Sequence, residues 1–251
     1  MIQQKTLIKH LDKLFQIHQF IDVGLNGLQV ESVAPIKKVC FAVDACLTSI
    51  EQAIQHQAQI LIVHHGLFWG RETSITGIHY QRIQRLLQNQ IALYAIHIPL
   101  DVHPELGNNV SLANALNLEV IESFGEFRKT KIVLGTKCAQ PLPVKDFQTQ
   151  VENLLRNKTH LLSFGKEMIQ KIALCTGDAS FGVHEAYEKG YDLYFTGERE
   201  HISYHLCKDL GFHCLFGGHY ATETFGLKSL AQKLQEKFSL ETCFLEIPTD
   251  L

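Results

Sequence analysis

The chain alternates short, largely apolar runs with amphipathic stretches, and that alternation constrains the fold more than any other feature. The strand-like runs are KVCFAV (38–43), ILIV (60–63), ALYAI (92–96), KIVLG (131–135), KIALC (171–175), DLYFT (192–196), FHCLF (212–216) and CFLEI (243–247). Helix-like stretches lie at 48–57, 79–89, 109–117, 143–156, 182–189, 201–208 and 224–238. In the last of these, Leu227, Leu230, Ala231, Leu234 and Phe238 recur at i, i+3, i+4 spacing. A strand buried on both faces reads as a continuous apolar run, and strands separated by helices pair in parallel. The predicted fold class is therefore α/β, with parallel sheets flanked by helices. A length of 251 residues suffices for one large domain or two smaller ones.

A faint internal repeat favours two. Residues 37–65 align with 171–199, so that Asp44 meets Asp178, Glu51 meets Glu185 and His64 meets Glu198. Likewise LYAIHIPLD (93–101) aligns with LFGGHYATE (215–223), pairing His97 with His219 and Asp101 with Glu223. Each part then offers a strand running out into H-x-x-x-[D/E]. The expectation is two similar, interlinked α/β halves facing each other. One spans 1–125 with the HHG and HxxxD patterns, the other 126–251 with TGE and HxxxE. The stretch 136–146 reads as the end of a strand, then Pro143 opening a helix. The segment from about 125 to 165 carries the fewest motifs and is assigned to packing and subunit assembly.

Composition narrows the function classes. A net charge of −3 without a basic stripe argues against a nucleic-acid or anionic-membrane partner. No apolar run reaches the roughly 18 residues of a membrane-spanning helix. The first residues, MIQQKTLIKHLDKLFQI, read as an amphipathic helix and not a signal peptide. Seven cysteines, an odd number without a CxxC, argue against a disulfide framework and for the reducing cytoplasm. Cys40, Cys175 and Cys214 sit within apolar runs and read as small core residues.

The chemistry concentrates in the histidines. LIVHHGLFWG (61–70) delivers two imidazoles to the end of a buried strand. In open α/β sheets ligands bind where strands run out at their carboxyl ends, and every polar cluster above falls at such an end. Adjacent strand residues point to opposite faces, so His64 and His65 either diverge, serving two ions, or converge as the backbone twists at Gly66. Imidazole and carboxylate donors without paired cysteines suit Zn, Mn, Fe, Co or Ni. Two such ions sharing a carboxylate would serve hydrolysis. Simpler roles stand beside these. A strand-end histidine can bond a loop carbonyl, and Asp101 can serve a turn or cap a helix. Glu223 can open the following helix, where a carboxylate suits the helix dipole. Asp44 and Asp178 are read as helix caps; Phe68 and Trp69 could stack on a planar substrate but are read as packing residues.

Five stretches together carry a resemblance: DVGLNGLQVE (22–31), LIVHHGLFWG (61–70), HIPLDVHPELGNN (97–109), TGERE (196–200) and GHYATETFGLKSL (218–230). In this order they resemble the signature blocks of the GTP cyclohydrolase 1 type 2 homologs, a family of dinuclear metal proteins. The resemblance implies a two-domain α/β fold with the metal site between the domains. It implies a toroidal homohexamer, a trimer of dimers. Its metal ligands fall on His64, His65, Asp101, His219 and Glu223, with Glu223 bridging two divalent transition-metal ions. His97 and Glu198 are then candidates for orienting ligands, facing substrate or moving protons. No organic cofactor site is implied. Where family members often carry a second histidine after GH, this chain has Tyr220.

Two functions compete on this footing. One is a metal-dependent hydrolase of a small metabolite; the chain has no P-loop, no GxGxxG and no evident triphosphate-binding cluster of Lys and Arg. The other is a non-enzymatic metal-binding hexamer for storage, delivery, sensing or scaffolding.

Overall fold

The computed structural model describes residues 1–249 and 251. The chain forms two compact units, Met1–Leu106 with Gly226–Ile247, and Gly107–Phe225 with Pro248–Leu251. These differ from the consecutive parts 1–125 and 126–251: the first unit closes earlier and takes back a C-terminal segment.

The first unit is built on a five-stranded sheet. Its order is β1 (Gly27–Val30), β4 (Ala92–Ala95), β3 (Ile60–His65), β2 (Lys38–Asp44) and β11 (Glu241–Phe244). All neighbours pair in parallel except β1, which runs antiparallel to β4. Helices α1 (Gln4–Phe15), α2 (Leu47–Gln55), α3 (Gly77–Gln88) and the single turn α4 (Ile98–Asp101) belong to this unit. So does most of α10 (Thr224–Phe238), within which the chain crosses from one unit to the other. The apolar runs fill a core that includes Cys40, Leu61, Val63 and Leu93, against Ile50, Ala53 and Leu86 from the helices. Leu245, just beyond β11, joins the same core.

The second unit carries a six-stranded sheet. Its order is β5 (Glu119–Phe127), β6 (Thr130–Pro143), β8 (Met168–Cys175), β9 (Leu193–Thr196), β10 (His213–Phe216) and β7 (His160–Leu162). Only β8, β9 and β10 pair in parallel. Helices α5 (Asn108–Ala115), α6 (Val144–Leu155), α7 (Val183–Glu188), α8 (His201–Leu210) and α9 (His219–Thr222) complete the unit. Phe147 and Val151 of α6 pack with Leu174, Leu193 and Leu215 in its core.

All eight apolar runs lie in or overlap strands, but KIVLG does not sit in a parallel pair. It lies within β6, which is antiparallel to both neighbours. The hairpin to β5 turns through Arg128 and Lys129, both in the left-handed region (φ 47° and 68°). That is the backbone of a tight primed turn without the Asn-Gly pair that usually marks it. Pro143 precedes α6 instead of opening it, and β6 runs on to that residue. No helix among the described residues is long and apolar enough to cross a membrane.

The internal repeat is present in the topology, one residue out of the expected register. In the first unit Gln59 N donates to Lys38 O (3.1 Å) and Ile96 N to Val63 O (2.9 Å). The counterparts are Asp192 N to Lys171 O (2.8 Å) and Gly217 N to Thr196 O (2.9 Å). The single-turn helices α4 and α9 follow the third parallel strand in each unit. These equivalences need offsets one residue shorter than the sequence pairing. His65, not His64, therefore corresponds to Glu198, and Asp101 corresponds to Thr222, not Glu223. A slip of one residue exchanges the faces of a strand, so the two H-x-x-x-[D/E] patterns are not structural equivalents.

Candidate metal centre

In the first unit three parallel strands deliver polar residues to one edge. Strand β3 is apolar and buried through Val63, then presents His64 and His65; β2 ends at Asp44, and His97 follows β4. The rings of His64 and His65 converge, with centroids 4.6 Å apart, and those of His64 and His97 lie 5.0 Å apart. One ring nitrogen from each of His64, His65 and His97 lies within 4.8 Å of the others, a spacing a single ion could span. Asp101, at the end of α4, places Oδ1 3.5 Å from His64 Nε2.

Each imidazole is fixed through Nδ1. His64 Nδ1 donates to Ile96 O (2.8 Å), His65 Nδ1 to Asp44 Oδ1 (2.9 Å), and His97 Nδ1 to Asp22 Oδ1 (2.7 Å). A carbonyl or carboxylate oxygen accepts only, so Nδ1 carries the proton and the neutral ring offers its lone pair at Nε2. Histidines that bind metals are oriented in this manner.

Asp22 is the most connected of these partners, and the sequence reading passed over it. Beside His97, it accepts from Val23 N (2.6 Å), Asn26 Nδ2 (2.8 Å) and Ile98 N (3.1 Å), the last at the start of α4. Burial acts to raise its pKa. The hydrogen bond and charge of His97, with the bonds from Asn26 and Gly24, outweigh that and bring it down to about 2. A carboxylate with a depressed folded-state pKa contributes stability above its ordinary value near 3.8 and loses it as pH falls through about 2. Asp22→Asn is therefore expected to flatten the acid limb of the unfolding curve between those values, as followed by circular dichroism.

Asp44 is not the cap of α2. That cap is Cys46, whose Sγ accepts from Ser49 N while Ser49 Oγ accepts from Cys46 N. Asp178 caps nothing either: the short 3₁₀ turn after it starts from Ala179 and α7 from Gly182, neither with a side-chain cap. Gly66 leaves room for Gln29, whose amide would lie 2.3 Å from an added Cβ. Gln29 accepts from Leu67 N (2.7 Å) and donates to Leu25 O (2.6 Å), tying the Asp22 loop to the HHG turn.

The second unit assembles its own set at the ends of β8, β9 and β10. His219, the first residue of α9, donates from Nδ1 to Glu198 Oε2 (2.7 Å), and its Nε2 lies 3.2 Å from Glu223 Oε2. Glu223 is 3% exposed. Burial acts to lower the His219 pKa, but the bonds and charges of Glu223 and Glu198 prevail and raise it to about 9. Gly177, also absent from the sequence reading, makes room for this pair. A Cβ there would lie 2.1 Å from Glu223 Oε1, at a backbone φ of +68°. Its carbonyl accepts from both Gly197 N and Glu198 N (2.9 Å each), so the glycine also positions Glu198. Tyr220 is buried, which places its ring in the packing.

The seven site residues thus fall into two sets: His64, His65, His97 and Asp101 in the first unit, Glu198, His219 and Glu223 in the second. Within each set the chemistry is of one kind, nitrogen and oxygen donors held by hydrogen-bonded partners. His97 stands with the other two imidazoles as a third nitrogen donor, where the sequence made it a candidate for orienting ligands, facing substrate or moving protons.

The chain is similar to known proteins along its whole length. A family model described as Duf34/NIF3 (NGG1p interacting factor 3) matches residues 2–250. A protein of Pyrococcus abyssi named GTP cyclohydrolase 1 type 2 homolog is 40% identical over 251 residues, covering 100% of both chains. Among solved structures, protein ybgI, of unknown function, superposes with a TM-score of 0.94 at 32% identity over 100% of both chains. A protein of Thermus thermophilus gives 0.89 at 34% identity, again over 100% of both chains.

Proposed function

The chain belongs to the Duf34/NIF3 family of GTP cyclohydrolase 1 type 2 homologs, and on that footing we propose that it is a dinuclear metal protein that hydrolyses a small metabolite. His64, His65, Asp101, His219 and Glu223 would hold two divalent transition-metal ions per chain, drawn from Zn, Fe, Mn, Co and Ni, with Glu223 as the shared carboxylate. The observation that supports this most directly is the uniform handling of the imidazoles. All four have Nδ1 on an oxygen acceptor, which makes Nε2 the ligand atom. The donor set, imidazole and carboxylate without thiolate, fits these metals. Bound ions of this kind supply Lewis-acid activation of water and of a substrate oxygen. The protein's part is to orient the imidazoles through Asp22, Asp44, Glu198 and the Ile96 carbonyl, and to move protons through His97 and Glu198. In the same reading the protein is a cytoplasmic homohexamer, a trimer of dimers, with a small-molecule substrate.

Metal content per chain, measured by inductively coupled plasma mass spectrometry on protein purified without chelator or histidine tag, tests the proposal. About two transition-metal ions per chain are expected. Protein that neither carries nor takes up such ions would overturn it. Two further outcomes follow. Asp44→Ala frees His65 to rotate and should weaken metal binding about 10–100-fold, the usual effect of removing such an orienting partner.

The second concerns pH. His219 holds a proton up to about pH 9 in the metal-free protein, and a metal must displace it. Metal affinity should therefore rise with pH up to that value. Proton release, counted by calorimetry in buffers of different ionisation heat, should vanish above it. The metal-free fold behaves oppositely. Its stabilisation by charged His219 is complete below the ordinary value of 6.5 and is lost as pH rises through about 9.

A further inference from the structure

Trp69 is the only tryptophan in the chain, and the sequence assigned it to packing. It is instead 38% exposed and yet tightly held. Its backbone forms an isolated antiparallel bridge with Gly24, and Leu25 N donates to Phe68 O (3.0 Å). Its indole Nε1 donates to Gly66 O (3.0 Å), inside the HHG turn itself. Gly24 packs against the six-membered ring, where an added Cβ would stand 3.2 Å from Cζ3. The ring centre is 5.7 Å from that of His65 and 5.3 Å from that of His97. Ile21 and Leu25, on the loop that carries Asp22 and Gly24, are 51% and 55% exposed.

An ordinary surface tryptophan buries its apolar body and leaves the N–H in water. Here the arrangement is reversed. The N–H is spent on a backbone carbonyl, and the residue is still 38% exposed beside the donor set. With its one polar atom committed, Trp69 can offer a ligand only its π-face and edge. The complement to such a surface is a flat, uncharged ring.

We propose that Trp69 is a stacking platform that selects ligands carrying a planar, uncharged ring and sets that ring beside His65 and His97. This rests on the proposed small-molecule site and names the class of molecule it takes. Gly24 is part of the device, since a side chain there would crowd the indole.

The sole tryptophan reports on its own occupancy. Guanosine and quinazolin-4-one serve as ring-bearing probes and ribose 5-phosphate as the ringless control, titrated against the zinc-loaded and the metal-free protein. Saturable quenching of the indole emission is expected with the two ring compounds and not with the control. By calorimetry, Trp69→Leu should lose at least tenfold in affinity for both ring probes, whereas Trp69→Phe, which keeps a flat face, should stay within about threefold. Zinc uptake should be the same in all three proteins. The proposal fails if neither ring compound binds, or if Trp69→Leu binds them as the parent does. It also fails if the emission follows protein concentration instead of probe, which would mean that a second copy of the chain covers the ring. Ring binding that persists in a protein without metal uptake or turnover would sink the hydrolase reading and leave the platform standing.

Discussion

Gly177→Ala should unfold the second unit roughly 10 °C below the parent, with a control that separates the two causes. The new methyl group enters a space 2.1 Å from Glu223 Oε1, on a backbone at φ +68°. The left-handed conformation costs a non-glycine residue about 1–2 kcal/mol. Crowding a packed site costs about 1–3 kcal/mol more. Together these make roughly 2–5 kcal/mol, and a chain of this size loses about 2–4 °C per kcal/mol. Gly190 has nearly the same backbone, φ +74°, but no atom within 4 Å of its added Cβ. Gly190→Ala therefore carries the conformational cost alone and should fall by only a few degrees. Differential scanning calorimetry of the two variants distinguishes contact from backbone. Equal shifts would mean that the carboxylate of Glu223 yields freely and that Gly177 is kept for its φ alone.

Glu223→Gln should have the larger chemical effect. The amide matches the carboxylate in volume, so the packing against Gly177 is retained while the negative charge is removed. As the proposed shared ligand, Glu223 would serve both ions, so metal content should fall from the proposed two per chain to about one or fewer. The loss of affinity should exceed the 10–100-fold typical of an orienting partner. His219 loses the first-named of the two carboxylates that raise its pKa, and its titration, followed by NMR, should move down from about 9. A variant that keeps two ions per chain would remove Glu223 from the bridge and leave it as a partner of His219.

Much of the architecture was legible because burial writes itself into composition. ILIV and the centres of KIALC and DLYFT are apolar since both faces of their strands are covered, and that property needs no knowledge of neighbours. Strand β5 escaped for the opposite reason: five consecutive residues from Glu119 to Ser123 are exposed, and only Phe124 and Gly125 are buried. The histidines were found because two adjacent imidazoles at the end of an apolar run are unusual in themselves. Asp22 and Gly177 were not, because their roles come from partners distant in sequence: His97 for the one, Glu223 and Glu198 for the other. The glycine directly after β8, at the carboxyl edge where ligands gather, was a usable signal. The repeat was seen but set one residue out, since faint identity cannot choose between neighbouring registers and the strand-end hydrogen bonds can.

The return of the last strand to the first unit bears on how the chain is made. Strand β11 pairs in register with β2, Cys243 opposite Cys40, across nearly the whole sequence. Synthesis proceeds from the N-terminus, and domains tend to fold as units as they emerge. All the strands of the second unit are available once β10 has left the ribosome, but the first unit still lacks its border strand then. Until β11 has emerged, the outer edge of β2 presents unpaired backbone groups beside Val39 and Phe41, a surface prone to pair with another nascent chain. The sheet begun first is therefore completed after the other, and ribosomes stalled past β10 should release chains with all six strands of the second unit in place and an adhesive first unit.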